Sequence, residues 1–120
     1  MTYDEIKNTL SQLTDPVMRL EFVMDLGHAL ENAPASAVCT EIAGCTSRVE
    51  ICRVGNRFYA RADSAMVRGL VAILIAMVDG RDPAQIREMD LAGAFSALNL
   101  NLGSGRVSGV DSMIRFLQNL

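Results

Sequence analysis

Hydrophobic residues along the chain start at helical spacing, shift to alternation near Ala37, and return to helical spacing after Asp63. Tyr3, Ile6, Leu10 and Leu13 recur three or four residues apart, which predicts a short first helix. Thr2 and Glu5 have the spacing of a capping box for it. Asp15-Pro16 then restarts the chain, Asp as N-cap and Pro at the first helical position. This second helix is expected to reach about Leu30, with Leu20, Val23, Met24 and Gly27 on one face, before Asn32 and Pro34 end it.

From Ala37 the alternation favours strands. Val38, Thr40 and Ile42 alternate with Cys39, Glu41 and Ala43; Val49 and Ile51 alternate with Arg48, Glu50 and Cys52. Gly55-Asn56 fits a two-residue hairpin turn, after which Phe58, Ala60 and Ala62 alternate with Arg57, Tyr59 and Arg61. The pattern predicts a three-stranded antiparallel meander with one apolar and one polar face, with Cys39 and Cys52 on the polar one. Asp63 or Ser64 should cap a helix that is apolar nearly all round from Met66 to Val78, with Gly80 just past its end. Asp82-Pro83 and Asp90 open two further short helices. Asn99 to Arg106 reads as a loop. Ser108 and Asp111 read as the capping box of a last helix carrying Val110, Met113, Ile114 and Leu117. The whole predicts an α+β fold, a three-stranded antiparallel sheet packed against helices on one face, as a single domain over 1–120.

Composition narrows the function classes. Half of the 120 residues are hydrophobic but only 5% are aromatic, so aliphatic residues, alanine and methionine must fill the core. A net charge of -3 without a basic run gives no nucleic-acid footprint. The longest apolar run, Gly69 to Val78, is too short to cross a bilayer. The acidic, polar start Met1-Thr2-Tyr3-Asp4-Glu5 does not have the form of a signal peptide. A cytoplasmic setting is therefore expected, with the three cysteines as free thiols, although a Cys39–Cys45 pair is conceivable by spacing.

Candidate chemistry centres on Ile42-Ala43-Gly44-Cys45-Thr46-Ser47-Arg48-Val49, where a glycine, a cysteine and two hydroxyl residues interrupt the strand pattern. Two readings of Cys45 are open from these residues: a structural turn that happens to hold a cysteine, or an exposed thiol whose thiolate reacts, with Arg48 beside it. Cysteines at 39, 45 and 52 and one histidine at 28 miss the usual zinc spacings, so no metal site and no cofactor is expected. Nothing points to His28 as a partner for a cysteine nucleophile. A lone reactive cysteine suits sulfur relay by thiolate attack on a persulfide, and it equally suits a plain interaction domain.

Several segments together resemble the SufE family of sulfur-acceptor proteins. These are Phe22 to Leu30, with its Leu26-Gly27 near the end; Gly44-Cys45-Thr46-Ser47-Arg48-Val49; Phe58 to Ser64; Val67-Arg68-Gly69-Leu70-Val71-Ala72; and Leu102 to Arg106 with Gly109 and Met113-Ile114. The sharpest is the second, close to the family's G-C-Q-S-x-V-W. Thr46 stands for the usual Gln, Glu50 for Trp, Asn101 for a common His, and Gly103-Ser104-Gly105 for Thr-Pro-Ser. The resemblance implies a SufE/IscU-like fold and makes Cys45 the persulfide carrier. It implies a PLP-dependent cysteine desulfurase as donor partner, an iron-sulfur scaffold protein as acceptor, and no cofactor of the chain's own. Arg48, Asp63 and Arg106 are the expected docking residues, Arg48 by its place in the sequence and Arg106 by the resemblance. A monomer or weak dimer is expected. The alternatives are a divergent member that regulates a desulfurase by docking alone and an IscU-like cluster scaffold, against which the absent ligand spacing counts.

Overall fold

A computed structural model describes all 120 residues. Helix α1 spans Tyr3–Gln12 and α2 spans Pro16–His28; strands β1 Val38–Glu41, β2 Val49–Val54 and β3 Arg57–Ala62 follow; α3 Ala65–Val78, α4 Pro83–Arg87, α5 Leu91–Ser96 and α6 Ser104–Leu117 complete the chain. The strands form one antiparallel sheet in the order β1-β2-β3. This is the α+β architecture that the alternation predicts.

Local chemistry sets most boundaries. The Thr2–Glu5 capping box closes on α1, and Asp15 caps α2 through the Val17 and Met18 amides. Ser64, not Asp63, caps α3 through Val67 N–H. Asp82 and Asp90 cap α4 and α5. Each side chain satisfies backbone donors that the first helical turn leaves unpaired.

α3 is the hub. Ten of its fourteen residues are buried, and α1, α2, α5, α6 and β3 all pack against it. Its approach to α2 is closest at Gly69, where a Cβ would run into the Val23 carbonyl. The buried face of the sheet carries Val49 and Ile51 of β2 with Phe58, Ala60 and Ala62 of β3. These residues join Ile6, Leu10 and the α3 side chains in a core cluster of 26 residues.

The structure departs from the expected elements in three places. β1 is an edge strand exposed along its whole length, and Val38, expected on the apolar face, is 74% exposed. Only Ile42, just past the strand, is buried. α2 stops at His28, and Leu20 on its predicted inner face is exposed. α6 begins at Ser104 behind Gly103, which makes no side-chain cap bond. The loop is thus shorter than Asn99–Arg106, and Arg106 lies in the first helical turn. Ser108 and Asp111 sit inside the helix, where Ser108 accepts a hydrogen bond from Ser112 through its carbonyl. A box-like spacing within an already formed helix caps nothing.

Arg19 has a structural role that periodicity does not reveal. Its guanidinium donates to the carbonyls of Leu10, Leu13, Leu98 and Asn99. It ties the end of α1 to the chain after α5, beneath the loop that leads to α6.

Candidate functional site

The turn between β1 and β2 is shaped by Gly44, whose φ is +89°. A side chain would be strained there, and a Cβ would lie 2.5 Å from Ser112 Oγ of α6. The turn is therefore seated against α6 rather than free at the sheet edge. Cys45 follows immediately and points onto the helix. Its thiol donates to the Gly109 carbonyl at 3.6 Å. A Cβ at Gly109 would stand 3.5 Å from Sγ, an ordinary van der Waals contact.

A narrow cleft of about 10 Å³ surrounds the sulfur, lined by Cys45, Thr46 and Ser47 from the turn, Val67 and Leu70 from α3, and Gly105, Arg106, Gly109 and Met113 from α6. That volume is close to one water molecule. Cys45 is half-buried, and this burial pushes its thiol pKa up. The exposed thiol expected at the tip of the turn is thus a partly covered one. Burial disfavours the thiolate, so a smaller fraction of the resting thiol is ionised than in a free cysteine.

The sequence-predicted residues fall into two groups. Arg106 lines the Cys45 cleft and is exposed. Arg48 does not line it; its guanidinium pairs with Glu41 at 3.6 Å. Arg48 and Asp63 instead adjoin each other, the Asp63 amide donating to the Arg48 carbonyl at 3.2 Å. Both line a separate cleft of about 500 Å³ with His28, Glu50, Arg61 and Arg68. There Arg61 pairs with Glu50 at 3.0 Å, and Arg68 donates to the Ala62 carbonyl. The turn thus presents Cys45 to one cleft and Arg48 to another. The seat of the turn on Gly109 and Ser112 has one trace in the sequence, the Gly105–Gly109 spacing of four, which puts two small residues on one helix face.

The free-thiol expectation fails for two of the three cysteines. Cys39 and Cys52 are joined by a disulfide, their Cα atoms 4.0 Å apart. The alternation correctly puts both on the polar face, and the register sets them directly opposite each other, which alternation alone does not fix. Cys52 is fully buried on that face, between Cys39 on one neighbouring strand and Tyr59 on the other. Cys45 is left as the free cysteine.

Comparison with known proteins shows the family and the fold. The family model described as "SufE: Fe-S metabolism associated domain" matches residues 4–120. An uncharacterized SufE-like protein of Rhizobium meliloti is 29% identical over 97% of this chain and 91% of its own length. The sulfur acceptor protein CsdE of Escherichia coli is 28% identical over 94% of this chain and 83% of its own. In fold, the chain superposes on the solution structure of a hypothetical protein from Thermus thermophilus with a TM-score of 0.78 at 15% identity, covering 99% of this chain and 94% of that one.

Proposed function

Because the chain belongs to the SufE family of Fe-S metabolism associated domains, we propose that it accepts sulfur from a PLP-dependent cysteine desulfurase as a persulfide on Cys45. The Cys45 thiolate attacks the outer sulfur of the donor's persulfide. A new S–S bond forms on Cys45, the donor's S–S bond breaks, and the donor cysteine leaves as a thiolate. No oxidant is consumed. The sulfur then passes to an iron-sulfur scaffold protein by the same exchange. PLP belongs to the donor, and this chain contributes the acceptor sulfur and a docking surface. The setting we assign is the cytoplasm.

The observation that carries this reading is Cys45 itself: the free cysteine, on a turn bent at Gly44, beside the exposed Arg106. The half-buried thiol also defines what docking must do. A partner that lifts the turn from Gly109 removes the burial, and the charge of Arg106, which lines the same cleft, then favours the thiolate in this reading. A second reading draws on the same burial: a member that docks on the desulfurase and regulates it while its thiol stays covered.

Intact-mass measurement after incubation with a desulfurase and cysteine separates the two. The wild-type chain should gain one sulfur, ~32 Da, removable by a thiol reductant. Cys45→Ser should gain none and should no longer accelerate sulfide release. If Cys45→Ser stimulates the desulfurase as well as the wild type does, the docking-only reading replaces sulfur transfer.

A further inference from the structure

On the polar face of the sheet, away from the core, Cys39 of β1 and Cys52 of β2 stand opposite each other, and Glu50 lies two residues before Cys52 on the same face. The Ile42 amide bonds to the Val49 carbonyl. Alternation along an antiparallel ladder then makes Cys39–Cys52 a non-hydrogen-bonded pair, the kind that brings facing side chains closest. The two sulfurs and a Glu50 carboxylate oxygen all lie within 4.8 Å of one another. Glu50 is held in place from outside, since Arg61 Nη2 donates to its Oε2 at 3.0 Å, which leaves Oε1 free. Cys39 is exposed, so the group opens to solvent.

We propose that Cys39, Cys52 and Glu50 form a redox-gated site for a thiophilic divalent cation of the zinc class, closed in the disulfide form and opened by reduction. In the opening step a dithiol reductant gives two electrons and two protons to the Cys39–Cys52 bond, becoming a disulfide as the pair becomes two thiols. In the second step the cation binds both sulfurs and displaces their two protons to solvent. Two sulfurs at ~2.3 Å from a tetrahedral zinc lie roughly 3.8 Å apart, a separation that facing side chains of a non-hydrogen-bonded pair reach by small rotations. Two thiolates and a carboxylate carry one more negative charge than the cation, and Arg61 balances it while fixing the carboxylate as an outer-shell partner does. The fourth position belongs to water. Sulfur donors favour zinc over calcium or magnesium.

The test uses the full chain carrying Cys45→Ser, so that the remaining cysteines are Cys39 and Cys52, with cobalt(II) as spectroscopic probe and zinc as competitor. After reduction by a phosphine, and removal of the phosphine, the protein should bind one equivalent of cobalt. Sulfur-to-cobalt charge-transfer absorption should appear and should be lost when zinc is added. The oxidised protein should show none. Adding Cys39→Ser should abolish the two-thiolate absorption, and Glu50→Gln should weaken zinc binding on the order of tenfold. In the reduced protein, zinc should also shield Cys39 and Cys52 from alkylation. Absence of cobalt binding in the reduced form, or equal binding in the oxidised form, overturns the site. That comparison requires no substitution on the sheet, so it decides the matter even if Cys39→Ser fails to fold.

Discussion

Cys45 Sγ lies 3.6 Å from the Gly109 carbonyl, so the sulfur of the β1–β2 turn rests on the backbone of α6. The contact links two segments 64 residues apart, and it makes the chemistry of the thiol depend on the helix. Burial pushes the Cys45 pKa up; a flexible loop would leave it near the ordinary thiol value.

The first consequence is a pH dependence. Folded, Cys45 holds its proton to higher pH than it does unfolded. Its contribution to stability is therefore complete below the unfolded thiol pKa of about 8.5 and is lost as pH rises through the higher folded value. In the oxidised chain Cys45 is the free thiol, so alkylation reports on it alone. The midpoint of the alkylation rate against pH should fall above that of an unfolded peptide holding the same turn. A midpoint at or below the peptide's would mean that the thiol is not covered in solution.

Gly109→Ala probes the same contact from the helix. The added methyl would meet Sγ at 3.5 Å, an ordinary van der Waals separation, and alanine favours a helix interior over glycine. Stability should rise by roughly 0.5–1 kcal/mol in denaturant titration. Alkylation of Cys45 should slow, because the thiol is covered further. A destabilised variant would show that the turn and α6 pack more tightly than 3.5 Å allows.

These contacts show which parts of the fold and site were legible in the sequence. Caps such as Thr2–Glu5, Asp15 and Asp82 act within one helical turn, so their spacing reveals them. The all-round apolar run from Met66 to Val78 marks the central helix for the same local reason. Alternation assigns Val38 a face without saying whether anything covers it, and Val38 is 74% exposed. The Cys39–Cys52 bond depends on strand register, and the seating of Cys45 on Gly109 depends on packing across 64 residues. Neither leaves a local trace. The family resemblance singles out Cys45 as the candidate, and its partial burial against α6 is visible only in the fold.

Arg106 and Arg48 should behave differently on docking. Arg106 is exposed at the Cys45 cleft, whereas Arg48 is paired with Glu41 and faces the other cleft. Arg106→Glu should lower stimulation of the desulfurase at low salt, and the gap from wild type should narrow as salt screens the charges. The far-ultraviolet spectrum and melting temperature should not change, since the side chain supports no part of the core. Stimulation equal to wild type at every salt concentration would remove Arg106 from the docking surface.

Cys39–Cys52 should matter for stability and not for sulfur acceptance. The bond closes a short loop, the two cysteines being 13 residues apart. Chain entropy alone gives such a crosslink about 3 kcal/mol, by restricting the unfolded chain. Reducing the oxidised protein, or replacing both residues in Cys39→Ala with Cys52→Ala, should lower the unfolding free energy by up to about 3 kcal/mol. The pair lies on the polar face of the sheet, while Cys45 faces α6, so the folded double variant should still gain one sulfur from a desulfurase. Loss of that gain in a variant whose circular dichroism matches wild type would tie the pair to the transfer itself, as a resolving disulfide. Retention of transfer with lowered stability would leave Cys45 as the acceptor and the crosslink as a brace between β1 and β2, the two strands that hold the ends of its turn.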